Sequence, residues 1–284
     1  MGFIAELFGY LLNALYSVFN NYGIAIIIFS VILRIILVPI TIKQQKSMKK
    51  SAELQEEMKE IQRKYKNNPE KLNQETIDLY KREKMSPFSG CLSSIVQLVI
   101  VLSVFWLVSQ PLTYMKRIDQ TIIDDYKNQI QTENNNGKSA YSEIEIINKY
   151  GSTDERVNIN MEFLGLDLSK VPGNNLNDWT VYVIPALYVI SSVISIRLTT
   201  NMNKKKKEKE EVVNTSDEKT PDELEAMEAM NKNMSFMMPI MSVFIAFIAP
   251  LGLALYWFIS NVLMIIEKLV IDKIMKHKEE KENA

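Results

Sequence analysis

Cysteine and histidine are nearly absent: the 284 residues hold one of each, Cys91 and His277. A disulfide within one chain is therefore impossible, and a zinc site of Cys and His ligands is excluded. Ser-His and Cys-His catalysis have no usable base, because His277 stands in a charged tail. No nucleotide-binding motif is present. The start lacks the basic segment of a secretory signal, and no cysteine near it offers a lipid anchor. Met1-Gly2 is not followed by Ser or Thr at position 6, as myristoylation would require. No inverted repeat or pair of broken helices is visible, which weighs against a transporter. No cofactor is implied.

The chain is 47% hydrophobic and 24% charged, and its mean hydropathy of −0.06 hides two populations. Long apolar runs alternate with highly charged connectors, the mixture of an all-α polytopic membrane protein with solvated loops. A net charge of −1 says nothing about nucleic acid, and no specific nucleic-acid sequence is expected as a partner. The distribution of sign among the connectors is more informative.

Residues 23–42 form the first predicted span, an Ile-rich run that ends in Lys43. About 20 apolar residues suffice to cross a bilayer. Arg34 lies inside this run, nine residues before Lys43, or ~13 Å from the helix end at 1.5 Å per residue. An arginine can snorkel only part of that distance. A charge at such depth points to a water-filled cavity or to a partner on another helix. No Asp or Glu stands out deep in the other apolar segments, so the expectation is the cavity.

Residues 1–22 repeat Phe3, Leu7, Phe8, Leu11, Leu12 and Leu15 at helical spacing, with Glu6, Asn13 and Ser17 opposite. That pattern predicts an amphipathic interfacial helix. Residues 43–86 are basic at their start and carry apolar seams, Leu54-Met58-Ile61-Tyr65 and Leu72-Thr76-Leu79-Tyr80. Asn68-Pro69-Glu70 between them is a helix restart, with a cap, a first-position proline and an acid at the dipole. A cytoplasmic helical hairpin follows from that arrangement.

The second span is 87–111, with Gln97 the informative polar residue and Cys91 a small packing residue. Gln97 fits either the cavity of Arg34 or a helix interface. Residues 112–178 make a long acidic connector with a loop at Asn134-Asn135-Asn136-Gly137 and no evident chemistry. Trp179 and Tyr182 open the third span, 179–198, as interface anchors. Residues 199–233 are a charged connector. The fourth span, 234–249, is short: sixteen residues reach ~24 Å against a ~30 Å core, which implies local thinning. Met234, Met237 and Met241 fall on one face of it, suited either to packing or to pliable apolar contact. A turn at 250–252 leads to the fifth span, 253–271, which contains Ser260 and Asn261, and to a basic tail at 272–284. The Lys/Arg-rich connectors must share the cytoplasmic side. Five spans then place the amino terminus and residues 112–178 outside and the carboxyl terminus in the cytoplasm.

The run Leu33-Arg34-Ile35-Ile36-Leu37-Val38-Pro39-Ile40-Thr41-Ile42-Lys43-Gln44 resembles the first core helix of YidC-type membrane protein insertases. Lys64-Tyr65 with Leu79-Tyr80-Lys81 is similar to that family's cytoplasmic hairpin. Gly90-Cys91-Leu92 with Gln97 resembles its second helix. Pro239, Pro250 to Trp257 and Ser260-Asn261 resemble its last two. Ser93 and Val99 stand where the second helix of the family usually carries prolines. Five spans without a large outer domain look like the Gram-positive bacterial branch.

The resemblance implies five transmembrane helices around a hydrophilic groove, open to the cytoplasm and to lipid, in the bacterial plasma membrane. Arg34 would be its charged floor. Gln97, Ser260 and Asn261 would line it, and Met234, Met237 and Met241 would form a slide for released helices. It implies an insertase and chaperone for nascent membrane proteins that needs no nucleotide. Membrane lipids, the ribosome, signal recognition components and the Sec translocon are the further partners to consider. The competing readings are a channel or small transporter with Arg34 as its site, and a structural scaffold for membrane protein assembly. An enzyme is the weakest class, because no catalytic constellation is visible.

Overall fold

The protein is described from a computed structural model, which describes residues 2–66, 68–83, 89–134, 141–211 and 244–282. It is an all-α polytopic membrane protein. Among the described residues, four helical stretches are long and apolar enough to cross a membrane: Gly2–Phe19, Tyr22–Gln44, Trp179–Leu198 and Leu251–Ile271. A shorter apolar stretch is Ile95–Ser109. The expected fourth span lies mostly outside the described residues, as do the side chain of Cys91 and the whole of Met234, Met237 and Met241.

Helix α1 (Gly2–Phe19) buries Ala5, Gly9, Leu12 and Tyr16, one side of the helix, and leaves Phe3, Leu7, Tyr10 and Val18 exposed on the other. Helix α2 (Tyr22–Lys64) runs unbroken from the first span into the hairpin, 43 residues in all. The Asn21 side chain starts it by accepting from the Ile24 N–H at 3.0 Å. Tyr22, Ile26, Phe29 and Leu33 form its buried face, while Ile35, Ile36 and Ile40 are exposed. Pro39 lies inside the helix, where its ring removes one backbone hydrogen bond.

Helix α3 (Pro69–Arg82) is capped by Asn68, which accepts from the Lys71 N–H at 3.2 Å. It runs back along the far half of α2. The Arg82–Glu57 contact at 2.5 Å and the Lys50–Glu83 contact at 3.5 Å fix an antiparallel register. Leu54 and Leu79 are buried between the arms.

Helices α4 (Ser89–Ser109), α7 (Val183–Glu211) and α8 (Leu251–Glu282) complete the bundle, and α8 packs between α2 and α7. Helix α7 continues as one helix through Lys204 to Lys207. Asn261 on α8 donates to the hydroxyls of Ser191 and Ser192 on α7, at 3.0 and 3.1 Å. Such bonds tie helices together where water cannot compete.

The long acidic connector, in which the sequence shows no chemistry, folds into a cap over one end of the bundle. It contains α5 (Gln120–Asn134), α6 (Ser142–Tyr150) and a two-stranded antiparallel hairpin, β1 (Glu162–Phe163) and β2 (Leu166–Asp167). Ile123, Ile144, Ile146, Val157 and Leu168 are buried in it and belong to the same apolar core as the spans. Fully burying such a side chain contributes about 1.5–3 kcal/mol. Glu143 is 2% exposed and receives the Leu112 N–H at 2.8 Å, the Thr113 N–H at 3.0 Å and the Thr113 hydroxyl at 2.5 Å. It thereby holds the π-turn Leu112–Lys116 that follows α4. That turn presses onto α1: a Cβ on Gly9 would lie 1.9 Å from the Tyr114 carbonyl oxygen.

The cap also starts two of the spans. The Tyr22 N–H donates to the Asn160 carbonyl at 3.0 Å. The Leu251 and Gly252 N–H groups donate to Lys170 and Leu168 carbonyls at 2.9 and 2.8 Å. The free N–H groups of a helix start are costly when buried. Here the cap satisfies them, and α8 begins at Leu251 directly after Pro250.

Candidate functional site

Helices α2 and α8 start side by side under the cap, where Gly252 meets the Tyr22 ring. Counting along both from that layer gives the depth of the residues below. Arg34 is twelve residues beyond Tyr22, ~18 Å, and Glu267 is fifteen beyond Gly252, ~22 Å. Both therefore lie at about one level along the bundle, distant from the cap.

At that level the two side chains meet. Arg34 Nε lies 2.5 Å from Glu267 Oε2. This corrects the expectation that Arg34 has no acidic partner and faces only a cavity. Glu267 escaped notice because Lys268 follows it, so it reads as the start of the basic tail. Its helical spacing would have shown it: Tyr256, Ser260, Glu267 and Ile271 share one side of α8. The Glu267 side chain is 6% exposed and the Arg34 side chain 20%.

The pair is close but incompletely bonded. Arg34 Nε and both Glu267 carboxylate oxygens are enclosed, and none makes an aligned hydrogen bond among the described residues. Charges taken out of water depend on such bonds to offset their desolvation. Since Nε is enclosed, the exposed part of Arg34 lies elsewhere on its side chain.

Tyr256 is buried nearer the cap on the same side of α8, and Ser260 lies one turn further toward Glu267. Arg34 and Glu267 thus form an ion pair between α2 and α8, with Ser260 and Tyr256 about two and three turns away along α8 on the side of Glu267. Ser30, one turn of α2 nearer the cap, is buried and donates to its own helix at the Ile26 carbonyl, 2.7 Å away.

The other expected site residues fall elsewhere. Asn261 is turned to α7, where its amide nitrogen is taken up by Ser191 and Ser192. Gln97 is exposed on α4 among exposed Ile95, Val96 and Leu98. No group of three or more His, Cys, Asp or Glu residues able to hold a metal occurs among the described residues.

Residues 14–280 match the family model described as 60Kd inner membrane protein. A protein of Treponema denticola named membrane protein insertase YidC is 29% identical over 278 residues, which is 97% of this chain and 39% of that protein. A protein of the same name from Fusobacterium nucleatum subsp. nucleatum is 27% identical over 270 residues, 95% of each chain. Another, from Caldanaerobacter subterraneus subsp. tengcongensis, is 43% identical over 105 residues, 37% of this chain and 51% of that protein. The chain thus spans well under half of the Treponema protein and nearly all of the Fusobacterium one.

Proposed function

The chain belongs to the 60Kd inner membrane protein family, and from that membership we propose that it is a membrane protein insertase. Its clients are nascent membrane proteins, whose short hydrophilic segments it passes across the bilayer while their apolar helices enter lipid. The observation that carries this reading is a cation, Arg34, set deep in a multi-pass bundle with an incompletely bonded partner.

Polar flanks are costly in hydrocarbon. A polar groove reaching from the hairpin end to the level of Arg34 shortens their path. Arg34 offsets the charge of an acidic flank while it passes. Ser260 lies beside that route, and the exposed face of α4 around Gln97 borders it. Apolar segments then leave for lipid, driven by the hydrophobic effect, with no nucleotide required. The Lys/Arg-rich hairpin and tail belong to the cytoplasmic side and the cap to the outer side, which places the amino terminus outside. The hairpin and tail are the surfaces available to a ribosome, to signal recognition components or to the Sec translocon. The setting is a bacterial plasma membrane.

The test is insertion of a single-span client with a short acidic outer tail into proteoliposomes, read by protease protection of the tail. Replacing Arg34 alone would leave Glu267 buried without a partner, at about 3–5 kcal/mol. The informative variant is therefore Arg34→Ala with Glu267→Ala. The proposal expects wild-type insertion well above empty liposomes and a marked drop in the double variant. Insertion no better than empty liposomes, from a folded preparation, overturns the insertase reading. Insertion that survives the double variant overturns the role of Arg34.

A further inference from the structure

The Arg34–Glu267 contact resembles an occupied anion site more than a structural bridge. A structural bridge would satisfy the remaining donors and acceptors of both groups. Here, among the described residues, Arg34 Nε and both oxygens of Glu267 are enclosed without an aligned hydrogen bond. The arginine is still reachable, with 20% of its side chain exposed, while the carboxylate is nearly sealed at 6%. A group approaching from outside therefore meets the arginine side chain before the acid.

We infer that Glu267 is a tethered stand-in for a client carboxylate: it occupies Arg34 at rest and is displaced by an acidic polypeptide segment. This rests on the insertase reading above. The exchange is neutral in charge, since one carboxylate leaves Arg34 as another arrives. A neutral polar segment cannot make that exchange, because it would leave Arg34 as well as Glu267 without a partner, whereas an acidic segment re-pairs Arg34. A basic segment is repelled by Arg34 as it arrives. Glu267 thus sets the threshold that a client's acidity must exceed, and it keeps Arg34 from standing uncompensated in the bilayer between clients.

The test compares two single-span clients that differ only in their outer tails, one carrying aspartates and the other asparagines. Vesicles of phosphatidylcholine exclude anionic lipid headgroups as a rival source of the displacing anion. The measured quantity is the ratio of acidic to neutral insertion for wild type, Glu267→Gln and Glu267→Asp. Removing an internal competitor should raise that ratio roughly tenfold in Glu267→Gln. Glu267→Asp keeps the charge but draws it back by one methylene, and should give an intermediate rise. Should Glu267→Gln fail to fold, the aspartate variant decides alone. A ratio equal to wild type in the folded variants overturns the inference and leaves Glu267 a packing partner. A rise for both clients alike overturns it as well. No insertion by wild type overturns the insertase reading and this inference together.

Discussion

Glu143 gives the sharpest test of the cap. Its carboxylate receives two backbone N–H groups, from Leu112 and Thr113, and the Thr113 hydroxyl. All lie where α4 ends and the turn onto α1 begins. In Glu143→Ala the three donors lose their acceptor in a buried place, at about 1–3 kcal/mol for each unsatisfied group. Relief from no longer burying a carboxylate offsets part of this, so the net loss should be about 3 kcal/mol. Glu143→Gln keeps one oxygen for the two N–H groups, and the Thr113 hydroxyl can rotate, so it should cost under about 1 kcal/mol.

The two variants also separate shape from charge. Burial pushes the Glu143 carboxyl above its ordinary value, against the lowering effect of its hydrogen bonds from Thr113 and Leu112. A carboxyl that is raised in the folded state binds more protons there than in the unfolded chain. Stability must then fall as pH rises through the window between the two values, from about 4 upward. Thermal unfolding in detergent micelles at pH 4 to 7 measures this directly. The wild type should lose ground to Glu143→Gln as pH rises, while Glu143→Ala stays well below both. An alanine variant as stable as wild type would refute the account of the cap. A gap between wild type and glutamine that widens in favour of wild type with pH would refute the electrostatic part.

Other outcomes follow from single contacts. Gly9→Ala drives a Cβ to 1.9 Å from the Tyr114 carbonyl oxygen, so α1 must shift, at a cost of about 1–3 kcal/mol in the same unfolding assay. Asn261→Ala unties α8 from Ser191 and Ser192, which should lower stability by about 0.6–2 kcal/mol. It should leave client charge preference unchanged, since Asn261 is turned from Arg34. Asp178 is held down to about 2 by Lys170 first and then by Thr180. Its folded value lies below the unfolded one, so its contribution is present above about 4 and is lost as pH falls towards 2. The stability gap between wild type and Asp178→Asn should close over that range.

The apolar runs at 23–42, 179–198 and 253–271 were legible because an unbroken apolar run has few soluble uses, and helices long and apolar enough to cross a membrane lie over them. Asn68 and Pro69 announced the start of α3 because a cap and a first-position proline act locally. The cap was hidden because its core is assembled from isolated residues, such as Ile123, Val157 and Leu168, with no long periodic run. Its polar surface reads as a loop. Glu267 was hidden for a different reason. Its neighbour Lys268 marks the membrane edge in sequence, while depth is set by where α8 begins, and that is fixed by Lys170 and Leu168 of the cap. Asn261, Ser191 and Ser192 were each visible as polar residues in spans. Their joining depends on the register between α7 and α8, which no local pattern carries.

The central claim is that a client's acidic segment comes to Arg34 inside the membrane. Site-specific photo-cross-linking tests it most directly. A single-span client carrying a photoreactive residue beside its tail aspartate is added to wild-type proteoliposomes and irradiated, and the joined peptides are identified. The account predicts cross-links to the faces of α2 and α8 that carry Arg34, Tyr256, Ser260 and Glu267, and their loss when the aspartate becomes asparagine. Cross-links confined to the exposed apolar residues of α4, or unchanged by that substitution, would contradict it.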